Sequence, residues 1–165
     1  MPHIDFARGG PVEALAWRYL ARARFDTIVV LGIAHGGVQY PFCAAPKDYV
    51  TPLGTARADR EFLEALQTRV GGCLVAEQFA HKNEHSVEFA AVFQQHAPQL
   101  CDAQFVPIIC GGFFDEIRTR AAPRQTPAIA RFIQALREVT QEWEARGQRV
   151  GFIASVDLAH VGTQF

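Results

Sequence analysis

Asp26-Thr27-Ile28-Val29-Val30-Leu31-Gly32 is the stretch that decides the fold. It is a short, β-branched apolar run ending in glycine, the pattern of a strand buried on both faces. Phe105-Val106-Pro107-Ile108-Ile109-Cys110 repeats the pattern and runs into Gly111-Gly112, and Val150-Gly151-Phe152-Ile153-Ala154-Ser155 repeats it near the end. Helical periods fill the intervals. Residues 11–23 open on a proline, which suits a first turn, and offer Leu15, Tyr19, Leu20 and Trp17 for packing. Residues 57–70 put Phe62, Leu63 and Leu66 on one face, and residues 84–96 carry Val87, Ala90, Ala91, Val92 and Phe93. The longest helix is predicted over 126–145, where Ile129, Phe132, Ile133, Leu136, Val139 and Trp143 keep to one stripe and Gly147 supplies the terminating cap. Residues 34–52, rich in Gly, Pro and Tyr, read as loop with one short strand. Strands alternating with helices predict an α/β fold with a central, mostly parallel or mixed sheet and helices on both faces.

At 165 residues the chain is sized for one domain. Its 49% hydrophobic and 20% charged content is that of a globular protein. A net charge of −1, with no basic run, argues against a nucleic-acid partner. No apolar run approaches the ~20 residues that cross a bilayer. The opening Met1-Pro2-His3-Ile4-Asp5 lacks the basic start and apolar stretch of a secretory signal. The expectation is a cytoplasmic protein with no membrane contact. Its four cysteines (Cys43, Cys73, Cys101 and Cys110) are read as mostly buried thiols, spaced unlike a zinc site.

Four polar clusters fall just after apolar runs or at a helix start: Pro2-His3-Ile4-Asp5, Gly32-Ile33-Ala34-His35, Glu84-His85-Ser86 with Glu88, and Ser155-Val156-Asp157-Leu158-Ala159-His160. Residues leaving the carboxyl ends of parallel strands line one crevice, the usual ligand site of such sheets. His35 follows its strand and precedes Gly36-Gly37, where backbone can approach a ligand. Asp157 and His160, three apart, can face the same way, although Asp157 also suits a helix cap. His85 at a helix start is disfavoured as a cation, so a neutral imidazole able to ligate is expected there. His3 and Asp5 lie in a terminus of the kind that ordinarily frays. His81 and His96 read as surface residues, and Cys110 as a buried thiol.

Taken in order, these clusters resemble the Memo family. The matching strings are Pro2-His3-Ile4-Asp5-Phe6 with Arg8-Gly9-Gly10-Pro11, Leu31-Gly32-Ile33-Ala34-His35, Thr51-Pro52-Leu53-Gly54, Glu84-His85-Ser86-Val87-Glu88, Phe105-Val106-Pro107-Ile108-Ile109 and Ser155-Val156-Asp157-Leu158-Ala159-His160-Val161-Gly162. They are collinear and span essentially the whole chain. The resemblance implies a fold shared with class III extradiol ring-cleaving dioxygenases, which use non-haem iron. In prokaryotes it implies an AmmeMemoRadiSam system protein B-like member, encoded beside a radical-SAM partner. The animal member is a motility effector reported to bind phosphotyrosine peptides and redox metals.

Carried over by motif, His3 and His35 match the family's two metal-ligand histidines, Asp157 and His160 its Asp–His pair, and His85 a supporting Glu-His-Ser motif. The family's third ligand, a cysteine, lies beyond the Asp–His motif, and no cysteine here sits at a matching position. The resemblance therefore implies one Memo-like domain over 1–165 lacking the C-terminal part of the full domain. Asp157, Glu84 or a partner subunit would then complete the site, and two histidines with a carboxylate make the facial triad of Fe(II) centres. The expected function is binding of a divalent redox metal, iron or copper, at His3 and His35, with His85, Asp157 and His160 moving protons or orienting ligands during oxidation of a small molecule. A non-catalytic module holding a peptide or small molecule, and a metal-dependent hydrolase, are the alternatives. Apolar surface on the last strand, and a homo-oligomer, are expected as well.

Overall fold

Strand β1 (Thr27–Ile33) lies between two parallel neighbours, β5 (Gln104–Cys110) and β6 (Val150–Ala154). β2 (Phe42–Ala44) runs antiparallel along the far side of β5, giving the order β2-β5-β1-β6 and a mixed sheet. β3 (Tyr49–Thr51) and β4 (Gly54–Ala56) pair as a separate hairpin. The helices are α1 (Phe6–Leu20), α2 (Arg60–Val70), α3 (His85–His96), α4 (Phe114–Thr119) and α5 (Pro127–Ala145). Three 3₁₀ turns at Gly72–Val75, Gln78–Asn83 and Pro123–Gln125 join them. The computed structural model describes residues 1–157 and 161–163.

Alternation along the strands divides the core into two layers. Ile28 and Val30, with Phe105 and Ile109, pack on Trp17 of α1 and on Val87, Ala90 and Ala91 of α3. Val29, with Val106 and Ile108, packs on Phe62, Leu63 and Leu66 of α2 and on Phe132, Ala135, Val139 and Trp143 of α5. Both faces of β1 and β5 are covered, which is why these strands read as continuous apolar runs rather than alternating ones. Each fully buried large side chain contributes about 1.5–3 kcal/mol. The predicted α/β architecture with helices on both faces is the one observed.

Some boundaries and faces differ from the sequence reading. α1 begins at Phe6 rather than residue 11, because the Asp5 carboxylate accepts the Arg8 N–H at 3.1 Å and caps the helix earlier; Pro11 lies inside it. Its inward face is Gly9, Glu13 and Trp17, whereas Leu15 and Tyr19 face solvent. Residues 34–52 hold two short strands rather than one, since β3 finds its partner only beyond Pro52, in β4. On α5 the buried stripe includes Ala135, and Ile133 is exposed. Gly147 (φ 81°) ends α5 as expected: its N–H donates to the Glu144 carbonyl and that of Gln148 to Trp143. β6 is an edge strand and Phe152 on it is 45% exposed, the apolar exposure expected of the last strand. Among the described residues no helix is long and apolar enough to cross a membrane.

Asp59 ties β1 to α2. Its carboxylate, 8% exposed, accepts the Phe62 N–H at 2.9 Å as helix cap and the Thr27 hydroxyl at 2.7 Å. Asp59→Ala removes the cap and strands both donors, so a loss of about 2–4 kcal/mol is expected in urea unfolding. A loss under 1 kcal/mol would show that water replaces the carboxylate.

Candidate metal centre

The carboxyl ends of β1 and β6 are adjacent, with the Ser155 N–H donating to the Leu31 carbonyl at 2.8 Å. His35 lies two residues beyond β1 and Asp157 three beyond β6, so neighbouring strands deliver both to one place. α3 is docked against the same end. The Ser86 hydroxyl accepts the Ile33 N–H at 3.0 Å and donates to the Ile33 carbonyl at 3.1 Å, and the Ser155 hydroxyl donates to the Ser86 carbonyl at 2.6 Å. Gly32 permits this approach: a Cβ there would lie 2.5 Å from Ser86 Oγ and 2.7 Å from Val87 Cγ2. His85 at the start of α3 thereby faces His35.

His3 arrives by a different route. Met1 adds to the outer edge of β6, its nitrogen donating to the Ala154 carbonyl and its own carbonyl accepting the Val156 N–H at 2.9 Å. The Trp17 indole N–H points at the Met1 sulfur, 2.9 Å away. Instead of fraying, the segment is held, and His3 is 2% exposed.

His3, His35 and His85 each offer a nitrogen, all within 4.8 Å of one another, and the group can hold a metal ion. The His3 and His35 Nε2 atoms are 3.4 Å apart. Asp157 adds a carboxylate, one oxygen 3.1 Å from His3 Nε2 and the other 3.8 Å from His35 Nε2. The His35 and His85 rings stack with centroids 4.5 Å apart, and Phe89 stands edge-on behind His85. His3 is the floor, while the side chains of His35, His85 and Asp157, each about two-fifths exposed, open to solvent.

Glu84 sets the electrostatics. Its buried carboxylate accepts the His35 backbone N–H and Nδ1–H, both at 2.9 Å, and the Ser86 N–H at 2.9 Å. A carboxylate there accepts, so Nδ1 carries the hydrogen, and Nε2 is the nitrogen turned toward His3 and Asp157. Burial would raise the Glu84 pKa, but the bonds from Ser86 and His35 outweigh it and hold the group below the ordinary range. For His3, burial lowers the pKa; Asp157 opposes this, and His35 and His85 reinforce it. Its Nδ1 is buried and makes no hydrogen bond of ordinary geometry among the described residues, although the Ser155 backbone is near enough to favour protonation. A floor imidazole that resists protonation keeps a lone pair available.

Four of the five residues singled out in the sequence therefore meet: His3, His35, His85 and Asp157. The fifth, His160, lies outside the described residues. Asp5 caps α1, and Glu88 is exposed on α3. Glu84, considered as a replacement ligand, bonds the far side of His35. Of the cysteines only Cys43 is buried; Cys73, Cys101 and Cys110 are partly exposed, a correction to the expectation. Burial still pushes the Cys110 thiol up to about 11. His81 is likewise not a surface residue. It is 7% exposed, with Nε2 donating to the Cys43 carbonyl at 3.0 Å. It sits on a 3₁₀ turn, where no apolar period announces burial. His96 is exposed, as expected.

A family model described as Memo-like protein matches residues 1–165. A MEMO1 family protein of Aquifex aeolicus (strain VF5) is 28% identical over 165 residues, covering 100% of this chain and 40% of the relative. One from Methanococcoides burtonii is 32% identical over 160 residues, covering 97% and 53%. One from Saccharolobus solfataricus is 31% identical over 165 residues, covering 97% and 52%. The chain thus spans about half the length of the curated relatives it matches. No solved structure matches. With that family model matching residues 1–165, the chain belongs to the Memo family.

Proposed function

We propose that His3, His35 and His85, with Asp157 as the carboxylate, bind a divalent redox-active metal, iron or copper, and that the site oxidises a small molecule. The observation that carries this reading is the convergence of three imidazole nitrogens within 4.8 Å, one of them oriented from behind by a buried carboxylate. A histidine that ligates through one nitrogen and gives the other N–H to a carboxylate is the common arrangement in metal sites. The donor types support a transition metal over magnesium or calcium, and histidines with one carboxylate suit Fe(II) with open positions.

When bound, the metal would supply Lewis-acid and redox chemistry. His3, His35 and His85 would hold it, so His85 is assigned as a ligand rather than only as a proton donor. Asp157, facing both His3 and His35, would complete the set or hold a proton beside it. His160 keeps the proton-transfer role that its motif implies. Glu84 fixes the His35 ring and lies on the side away from the ligand.

Metal content by elemental mass spectrometry, on protein purified without chelator or histidine tag, tests the reading. About one equivalent of iron or copper is expected, lost in a His3→Ala/His35→Ala double variant. Oxygen uptake with a catechol should depend on that metal. Zinc without oxygen uptake would favour a hydrolase, and metal-independent peptide binding lost in His35→Ala would favour a binding module.

Glu84→Gln should weaken metal affinity about 10–100-fold in a chelator competition while far-UV circular dichroism is unchanged. An unaltered affinity would remove Glu84 from the site. Gly32→Ala touches no ligand, yet it drives a methyl into Ser86 and Val87 and must shift α3. It should lower metal occupancy and cost about 1–3 kcal/mol of stability; full occupancy would show that α3 need not dock this closely.

A further inference from the structure

Apart from the histidine cluster, a cavity of about 480 Å³ opens between β3, the residues leading into it and the 3₁₀ turn Gln78–Asn83. That is the size of a small-ligand pocket. Tyr49 and His81 line it. The His81 Nε2–H is committed to the Cys43 carbonyl, so Nδ1 must accept, and the Tyr49 hydroxyl donates to it at 2.8 Å. Burial lowers the His81 pKa and raises that of Tyr49 above its usual range, so the pair is neutral and satisfied, a fixed wall rather than a reactive one.

Four other lining groups have no protein partner among the described residues. The Gln78 amide oxygen is buried without a hydrogen-bond partner among the described residues. Lys47, Lys82 and Glu88 are exposed at the cavity, and among the described residues none is in an ion pair. Asp48, by contrast, is occupied by Arg60 at 3.0 Å and by the Ala58 N–H. Val50 and Phe79 are 83% and 85% exposed, two large apolar side chains beside these charges with Ala45 buried behind.

We propose that this cavity binds a free α-amino acid with an apolar side chain. The two ammonium groups of Lys47 and Lys82 suit its carboxylate. Glu88 and the Gln78 oxygen only accept, and suit its ammonium group. Ala45, Val50 and Phe79 offer apolar cover for the side chain. A simple anion would leave the Gln78 oxygen unpaired and meet Glu88, and a simple amine would meet two lysines; a zwitterion satisfies both signs.

The probe is L-phenylalanine, titrated into the ¹⁵N-labelled full chain and followed by amide chemical shifts. Saturable shifts are expected within residues 45–51 and 78–82. 3-Phenylpropanoate, lacking the amine, and phenethylamine, lacking the carboxylate, should each bind at least about tenfold more weakly. Lys82→Glu and Glu88→Lys should each cost about tenfold or more, with the rest of the spectrum retaining its dispersion. No saturable shift up to the solubility limit, analogues binding as well as the amino acid, or folded charge-reversal variants binding unchanged would each overturn the proposal. The analogue comparison uses the unaltered chain and stands even if a variant fails to fold.

Discussion

The bond on which the site depends is the one between Glu84 and His35. One buried carboxylate accepts from the His35 backbone, the His35 ring and the Ser86 N–H. The same contact therefore caps α3, ends β1 and chooses the His35 tautomer. Desolvating a carboxylate is costly unless its lone pairs are filled, and three donors fill them here. The cost of burial becomes rigidity at the point where a ligand must be aimed. Ser86 reinforces the junction by bonding both polar groups of Ile33, so α3 cannot rotate about its own end without breaking several bonds at once.

A second constraint holds the floor. His3 comes from a segment with no regular structure of its own, and its position is borrowed from β6 through Met1 and from α1 through Trp17. α1 is shaped to receive it. Gly9 faces Ile4, where a Cβ would lie 2.2 Å from Ile4 Cγ2, and Glu13 is fully buried beside it. Burial raises the Glu13 pKa, and neither of its oxygens has a hydrogen-bond partner among the described residues. The burial of His3 is thus a tertiary effect.

These two constraints also explain what was legible in the sequence. β1, β5 and β6 were readable because strands covered on both faces must be apolar throughout, and the convergence of His35 and Asp157 followed from strand adjacency alone. The closing glycine of α5 was readable for local reasons. Which face of α1 turns inward was not, because that depends on where Trp17 finds Met1 and Ile28 rather than on the helix itself. The β3–β4 hairpin lies in a stretch too short and mixed for a period to show. Burial of His81 was hidden because Tyr49 and Cys43, which satisfy it, are remote in sequence. His3 was the least legible member of the histidine cluster: a crevice at the strand ends was expected, but neither periodicity nor spacing ties residue 3 to residue 85, and a terminal segment ordinarily frays.

Charge balance joins the pieces. The pocket holds three imidazoles in mutual contact, with Asp157 on the open side and Glu84 behind. The three rings lie 4.5–5.4 Å apart between centroids, and burial, with two imidazole neighbours, makes His3 resist protonation. On the proposed reading, a divalent ion held by the ring nitrogens would supply the positive charge that Asp157 and Glu84 face.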